Sequence, residues 1–311
     1  MQDIPLIDIS PLYASDAAGR AHVVARIGTA CRGTGFFAIT GHGVAPAVVQ
    51  EAFAAAYEVF ALSDDGKRDL AITRHGHNRG YVGLGVEALD EKTAPDLKEA
   101  YNLIWAGDAT RVPNVWPPLP GWRERAQAYF DAVLAVGRRL HTAFAVDLGL
   151  APDFFADKLD RPMATLRFLH YPMPVPATSG TSAVGQPGAG THTDYGNVTL
   201  LATDFVAGLQ VRRRDGAWMD VPPMPGAFVC NIGDCLMRWS NDVYVSTPHR
   251  VAPPARERYS IAFFLDPNPD ALVSAIPSCV PAGEAPRYAP IAASAYLQQR
   301  LGATYAPKGA A

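Results

Sequence analysis

The feature that most constrains this chain is a His-x-Asp triplet, His192-Thr193-Asp194, combined with a distant histidine, His249. Alternate side chains of a β-strand point to one face, so His192 and Asp194 can bind one ion while Thr193 points away. His249 lies too far along the chain to share that strand, so it must come from a second strand that folds back alongside. Two histidines and one carboxylate on one side of an ion leave open positions opposite, which suits Fe(II) and the activation of oxygen.

A second motif, Arg258-Tyr259-Ser260, follows His249 and begins an apolar run that ends at Leu265. This run is typical of a buried strand, on which Arg258, Ser260 and Phe264 share one face. An arginine on an inward face is costly unless a negative charge pairs with it. A bound carboxylate would do so, held by the planar guanidinium with the serine hydroxyl assisting. The alternative is an Arg258 that faces solvent or pairs with an internal Asp or Glu.

The composition excludes several classes of partner. The chain has 311 residues, of which 49% are hydrophobic and 18% charged, as in ordinary globular proteins. A formal net charge of −3 offers no basic surface for nucleic acid. No apolar run is long enough to cross a membrane. We therefore expect a small-molecule substrate, while the oligomeric state stays open.

The N-terminus and the cysteines predict a compartment. Met1-Gln2-Asp3-Ile4-Pro5 lacks the basic and apolar regions of a signal peptide. Four cysteines are scattered along the chain without a Cys-x-x-Cys pair: Cys31, Cys230, Cys235 and Cys279. Reduced thiols without an export signal favour the cytoplasm.

The first half of the chain has mainly helical patterns. Apolar spacing predicts helices at residues 21–31, 45–62, about 122–148, and 151–159, with short strands at 5–9 and 36–39. We expect this half to form a helical layer that packs on one side of the core.

The second half predicts many short strands. They are expected at residues 163–171, 198–203, 209–213, 218–221, 227–232, 236–239, 248–251 and 259–265, followed by a closing helix at 291–301. Such a series indicates an antiparallel sandwich or barrel, here a jelly roll. Loops at 80–97 and 174–190 are expected to shape the substrate pocket. We predict an N-terminal region at 1–120 and a catalytic core at 121–311, joined in one compact unit.

Taken together, these motifs resemble those of the Fe(II)/2-oxoglutarate-dependent dioxygenases, in the isopenicillin N synthase-like group. Ile4-Pro5-Leu6-Ile7-Asp8 and the segment from Gly35-Phe36-Phe37 to Gly41-His42-Gly43 resemble its N-terminal region. Asn231-Ile232-Gly233-Asp234 and Ser246-Thr247-Pro248-His249-Arg250-Val251 resemble its catalytic core. The resemblance covers nearly the whole chain and implies a double-stranded β-helix (jelly-roll) core.

The resemblance also implies roles for the motif residues. His192, Asp194 and His249 would hold Fe(II), and Arg258 and Ser260 would bind the distal carboxylate of 2-oxoglutarate. The implied reaction consumes O2, decarboxylates 2-oxoglutarate to succinate, and hydroxylates or otherwise oxidises a small organic molecule.

Two further positions concern the co-substrate. Tyr171 matches a tyrosine of the family that often adds a hydrogen bond to the distal carboxylate. Leu169 departs from the pattern, because many plant members carry an asparagine there. One hydrogen bond to 2-oxoglutarate is therefore absent or supplied elsewhere.

Three residues are candidates for the substrate pocket. The nearest subgroup resemblance is to thymine 7-hydroxylase-type enzymes, through Arg238-Trp239-Ser240-Asn241-Asp242 and residues 258–264 and 95–101. Arg167 sits in an otherwise apolar strand, so its charge needs either the substrate or an internal acid. Tyr195 and Phe264 can contact the substrate or can simply pack in the core.

Three other functions remain open on the sequence alone. An oxidase of the isopenicillin N synthase type would keep the iron ligands and use Arg258 and Ser260 to hold its substrate instead of 2-oxoglutarate. A zinc hydrolase can also use two histidines and one carboxylate, but it has no need of the Arg-x-Ser motif. A non-catalytic jelly-roll binding protein would have no reason to keep all of these residues.

Overall fold

A computed structural model describes residues 4–90, 95–107, 112–173, 187–253 and 255–305 of the chain. Within these ranges the helices are α1 (Ala17–Gly33), α2 (Pro46–Phe60), α3 (Asp64–Asp69), α4 (Ile72–His75), α5 (Trp122–Asp147), α6 (Asp234–Trp239) and α7 (Ala293–Tyr305). The strands are β1 (Leu6–Asp8), β2 (Phe36–Thr40), β3 (Gly80–Val82), β4 (Glu99–Ile104), β5 (Thr165–Tyr171), β6 (Ala189–His192), β7 (Val198–Thr203), β8 (Leu209–Arg212), β9 (Trp218–Asp220), β10 (Phe228–Ile232), β11 (His249–Val251), β12 (Arg258–Leu265), β13 (Leu272–Val273) and β14 (Ile291–Ala292).

Two sheets form the core. The larger one has eight strands in the order β1-β2-β10-β7-β12-β5-β4-β3, and the smaller one has four in the order β6-β11-β8-β9. All pairings are antiparallel except that between β1 and β2. Side chains of both sheets line one cavity between them. The predicted jelly-roll core is confirmed.

Strand β12 separates the cavity from the helical layer. Its alternating pattern sends Arg258 and Ser260 towards the cavity and Ile261 and Phe263 towards the helices. Phe263 is fully buried and meets Phe130 of α5 edge to face, with ring centroids 5.1 Å apart. One strand thus carries polar functional groups on one face and a hydrophobic core on the other.

Helix α5 lies close against this sheet because it carries a glycine at the contact. A Cβ atom on Gly137 would lie 2.7 Å from Cδ2 of Leu265 on β12. Such a distance is too short for two carbon atoms, so a larger side chain would force the helix away from the strand. Helices α1 and α2 pack in turn against α5.

The N-terminal region is less purely helical than its sequence predicts. Strands β1 to β4 all belong to the eight-stranded sheet, and β3 and β4 were not expected. They are short, and β4 is buried on both faces, so it shows no clear alternation. The division of the chain near residue 120 stays a prediction.

Two other predictions about local structure are wrong, and two more are wrong only at one end of the element. Residues 236–239 belong to helix α6 rather than to a strand, because a short apolar run fits either structure. Residues 151–159 contain one 3-10 turn, Ala156–Lys158, instead of a helix. The start of the closing helix is strand β14, and β6 occupies the end of the loop expected at 174–190. Residues 174–186 of that loop lie outside the described ranges.

Among the described helices, none combines the length and the apolar character that a membrane crossing requires.

The alternation of β12 gives a stability prediction. Phe263→Ala should lower the free energy of unfolding by about 3–5 kcal/mol, because it opens a cavity in the core. Phe264→Ala, one residue further on, should cost less than half as much, because Phe264 lies on the cavity face and is only partly buried. Urea unfolding of both variants checks this, and equal losses would show that the two faces of β12 are assigned wrongly.

Candidate active site

The cavity between the two sheets gathers most of the residues that the sequence motifs single out. The larger sheet contributes side chains from β2, β5, β7, β10 and β12, and the smaller sheet contributes from β6, β8 and β11. The motif residues among the lining are Arg167, Leu169, Tyr171, His192, Asp194, His249, Arg258, Ser260 and Phe264.

Three potential metal ligands meet at one end of the cavity. Strands β6 and β11 pair so that His192 lies opposite His249, as the sequence argument requires. Asp194 follows the end of β6 and lies in a turn, not within the strand. Its Oδ1 atom is 3.8 Å from Nε2 of His192 and 3.7 Å from Nε2 of His249. One ligand atom from each residue lies within 4.8 Å of the other two, close enough to converge on one ion.

Backbone carbonyls orient both imidazole rings. Nδ1 of His192 lies 2.7 Å from the carbonyl oxygen of Gly190, and Nδ1 of His249 lies 3.1 Å from that of Thr247. Because a carbonyl only accepts, each Nδ1 carries the proton and each Nε2 presents its lone pair. Burial and the neighbouring His249 lower the pKa of His192 to about 3, so this ring is neutral at physiological pH. Neutral imidazoles are what a metal ion needs.

The carboxylate of Asp194 is held by two side chains that the sequence did not single out as site residues. Its Oδ2 atom accepts hydrogen bonds from the Thr199 hydroxyl at 2.5 Å and the Asn231 amide at 2.7 Å. Burial acts to raise the pKa of Asp194, but His249, His192 and these two hydrogen bonds hold it below its usual value. Asp194 is therefore ionised, with Oδ1 left to face the histidines.

Thr199 and Asn231 could be found only through the sheet. They lie opposite each other in the pairing of β7 with β10. Asn231 stands in one of the motifs that resemble the family's catalytic core, which signals its presence but not its contact with Asp194.

A buried cation lies in the same cavity. Arg258 is 1% exposed, and its guanidinium lies 4.8 Å from the centre of the Tyr171 ring. It donates to the Ser260 hydroxyl and to the Val206 carbonyl, both at 3.3 Å. Within the described residues no carboxylate lies within 4.0 Å of it. A buried guanidinium without an anionic partner fits a bound carboxylate, as the sequence predicts.

The residues at both ends of the cavity therefore fit Fe(II) and a dicarboxylic co-substrate. Two imidazoles that present Nε2 and one ionised carboxylate form the two-histidine, one-carboxylate ligand set. The uncompensated guanidinium suits the distal end of a 2-oxo dicarboxylic acid.

The predicted substrate residues separate into two groups. Arg167 and Phe264 line the cavity, and Nη2 of Arg167 also lies 2.5 Å from Oε2 of Glu87. The two interpretations of Arg167 are thus compatible, since it has an internal acid and still faces the cavity. Tyr195 is not among the lining residues, and its ring lies 4.9 Å from the guanidinium carbon of Arg300. Contact of Tyr195 with the substrate stays a prediction, and the place of its side chain against Arg300 does not favour it.

Comparison with known proteins fits this geometry. Residues 4–119 match the family described as "non-haem dioxygenase in morphine synthesis N-terminal", and residues 165–267 match the 2OG-Fe(II) oxygenase superfamily. A 2-oxoglutarate-Fe(II) type oxidoreductase, hxnY of Emericella nidulans, is 38% identical over 303 residues, which are 92% of this chain and 86% of that protein. The chain is a 2-oxoglutarate- and Fe(II)-dependent oxygenase.

Solved structures support the same conclusion for the fold and cofactors of this oxygenase. The Neurospora crassa thymine 7-hydroxylase, in complex with 2-oxoglutarate and thymine, has a TM-score of 0.88 and 34% identity, and the match covers 97% of each chain. The protein JOX2, in complex with 2-oxoglutarate, iron and JA, has a TM-score of 0.81 and 30% identity, covering 99% of this chain and 87% of that one. The oxygenase thus uses Fe(II), 2-oxoglutarate and O2.

A buried histidine beside the metal-binding turn gives a prediction about pH. His141 is bonded to the carbonyl of Gly137 and to the amide of Asn197, and burial lowers its pKa to about 4. In the unfolded chain its pKa is about 6.5, so unfolding takes up a proton below that pH. Stability is therefore retained above about pH 6.5 and falls as the pH drops towards 4.

His141→Gln removes this proton uptake, while His192 keeps its own in both proteins. Between pH 6 and 4.5, the free energy of unfolding of the metal-free variant should fall less steeply than that of the metal-free original protein. The two slopes should differ by up to about 1.4 kcal/mol per pH unit. Urea titrations at several pH values measure both slopes. Equal slopes would show that His141 takes up its proton over the same pH range in the folded and the unfolded protein, against the lowered pKa.

Proposed function

We propose that His192, Asp194 and His249 bind the iron of this oxygenase and that Arg258 and Ser260 bind the distal carboxylate of 2-oxoglutarate. The observation that carries this proposal is the buried Arg258, which lacks a carboxylate partner within the described residues and shares a cavity with the three ligands. When bound, the iron and its co-substrate supply O2 activation, with 2-oxoglutarate converted to succinate as a small molecule is oxidised.

The protein's own residues contribute position and charge. Arg258 fixes one end of the co-substrate, so that its other end is directed along the cavity towards the metal ligands. Tyr171 supports this by packing against the guanidinium. Leu169, opposite Ser260 in the pairing of β5 with β12, offers no hydrogen bond. Binding of the distal carboxylate therefore relies on Arg258, Ser260 and Tyr171.

Anaerobic addition of Fe(II) and 2-oxoglutarate to the apo protein tests these roles. A chelated 2-oxo acid should give a weak visible charge-transfer band. His192→Ala should abolish the band, and Arg258→Ala should raise the 2-oxoglutarate concentration needed for it by about 100-fold, as expected for a lost charge-assisted contact. Arg256→Ala is the matched control, because Arg256 is exposed and should leave the titration unchanged.

The outcomes separate the assignments. Iron binding without a band would contradict co-substrate chelation at these ligands. A band that survives His192→Ala would place the metal elsewhere. An unchanged titration in Arg258→Ala would show that another residue binds the distal carboxylate.

For the substrate, we propose a neutral ring that carries carbonyl oxygens. Arg167 and Lys98 line the cavity and can donate hydrogen bonds, while Leu89, Leu169 and Phe264 supply apolar walls. Phe264 can stack on a flat ring. The related Neurospora crassa enzyme has been solved with thymine, which is a molecule of this kind.

The charges behind the wall favour neutrality. The Lys98 side chain is 3% exposed and pairs with Asp96 and, at 3.4 Å, with Glu87, which also pairs with Arg167. These two cations are therefore balanced by two carboxylates that are not among the lining residues. An ionised substrate would leave an unbalanced charge in a buried site, which is costly. Carbonyl oxygens can accept from Arg167 and Lys98 without that penalty.

Arg167→Ala should raise the KM for such a substrate about tenfold or more and leave the 2-oxoglutarate titration unchanged, because a buried hydrogen bond to a charged donor is lost. Thymine and a ring analogue that carries a carboxylate are the first two compounds to compare as substrates. The neutral ring should bind and the charged analogue should not. Arg161→Ala is the control, since Arg161 is half-exposed. An unchanged KM in a folded Arg167→Ala protein would exclude Arg167 from substrate binding.

We also propose that the protein works in the cytoplasm. The support is that all four cysteines are buried and unpaired, which fits a reducing compartment.

A further inference from the structure

The two residues that flank Asp194 both contact one guanidinium, that of Arg300 in the C-terminal helix α7. Its carbon lies 4.9 Å from the centre of the Tyr195 ring, and its Nη2 lies 3.5 Å from the hydroxyl oxygen of Thr193. Arg300 therefore contacts the residues immediately before and after Asp194. Among the described residues, no hydrogen bond or ion pair joins Arg300 to any of the three proposed metal ligands.

Asp234, the first residue of α6, connects Arg300 to this turn. Its side chain is 6% exposed, and its Oδ2 atom lies 2.6 Å from Nη2 of Arg300. The same oxygen accepts a hydrogen bond from the Thr193 hydroxyl at 3.0 Å. The backbone N–H of Asp234 donates to the carbonyl oxygen of Asp194 at 2.7 Å. Asp234 is thus tied to the metal-binding turn through both its side chain and its backbone.

The rest of the turn is held by the same short helix. The N–H of Cys235 donates to the carbonyls of Tyr195 and Gly196, at 3.1 and 3.0 Å, and the N–H of Gly233 donates to that of Asn197. A Cβ atom on Gly233 would lie 2.3 Å from the carbonyl oxygen of Gly196, so the two backbones are in close contact. Any displacement of α6 would therefore move the turn.

The turn that carries Asp194 and helix α6 depend on α7 for the charge that balances the buried carboxylate of Asp234. Within the described ranges, Arg300 is the only cation within 4.0 Å of it. Without that charge, the carboxylate would be buried and uncompensated, and would be drawn towards solvent. Such a movement breaks the hydrogen bond to Thr193, which lies between two of the metal ligands.

We propose that Arg300 is a positioning residue for the metal site, and that docking of the C-terminal helix completes that site. Arg300 acts through Asp234 and Thr193 to fix the place of Asp194. The inference rests on the proposed metal ligands. It differs from a role in which Arg300 only attaches α7 to the barrel, because that role would affect stability and leave metal affinity unchanged.

The test compares metal affinity with stability. Co(II) binding to the full-length apo protein is titrated by visible absorption, and Tm is measured without metal. Arg300→Ala should weaken Co(II) binding about fivefold, less than the roughly tenfold or more that loss of a direct partner of a metal ligand causes, because Arg300 acts through Asp234. Arg300→Lys should recover part of the affinity, because it restores the charge but not the planar contact with Tyr195. Gln299→Ala, exposed on the same helix, should change nothing.

A second variant protects the test against misfolding. Thr193→Val keeps the volume of the side chain and removes the hydroxyl that donates to Asp234, so it should also weaken Co(II) binding severalfold. Unchanged Co(II) affinity in Arg300→Ala, whatever its Tm, would overturn the proposal. If Arg300→Ala does not fold, unchanged affinity in both Arg300→Lys and Thr193→Val would overturn it.

Failure of the metal site itself gives a different result. If the original protein binds no Co(II), or if His192→Ala binds it equally well, then the proposed ligands are wrong and the inference about Arg300 falls with them. If the original protein binds and His192→Ala does not, the titrations of Arg300→Ala and Thr193→Val decide the positioning role alone.

Discussion

The pairing of β6 with β11 is the constraint on which the functional site depends. It places His192 opposite His249, which no local feature of the sequence could do, and leaves Asp194 in the turn that follows. The backbone also orients both rings, because the carbonyls of Gly190 and Thr247 hold protons on their Nδ1 atoms. For the histidines, ligand geometry thus comes from main-chain structure, whereas Asp194 is held by the side chains of Thr199 and Asn231.

The cavity contains two sets of basic side chains whose charges are compensated in different ways. At Arg258 a cation is buried without a carboxylate beside it in the described chain, and the binding of an anion is favoured. Arg167 and Lys98 are instead paired with Glu87 and Asp96, so this set carries no net charge. Both side chains can still donate hydrogen bonds to a substrate. The cavity would then hold the dianionic co-substrate at Arg258 and the proposed neutral substrate near Arg167 and Lys98. Along the pairing of β12 with β5, Leu169 and Ser260 lie between Arg258 and Arg167.

The sequence predicts most of the core and the groups at its centre, for a physical reason. Strand β12 alternates, so the inward positions of Arg258, Ser260 and Phe264 follow from periodicity, and the ligands follow from the residue types that metals require. Helix α6 was predicted as a strand because a short apolar run carries no periodicity. The contacts of Asn231 and Thr199 with Asp194 could not be predicted, because they depend on the register between distant strands. The contact of Glu87 with Arg167 could not be predicted either, because it depends on the path of a loop. Tyr195 shows that a place next to Asp194 in the sequence does not put a side chain in the cavity. Its ring packs against Arg300 of α7 instead.

Arg300 follows all three proposed metal ligands in the chain, and this order has a consequence for biosynthesis. Chains emerge from the ribosome with the N-terminus first and generally fold in that order. The strands that carry His192 and His249 leave the ribosome before α7 does, so the three ligands can come together while Asp234 still lacks its cation. The nascent protein would then bind metal weakly until α7 has been synthesised. Such an order would favour loading of the ion after α7 has docked on the barrel.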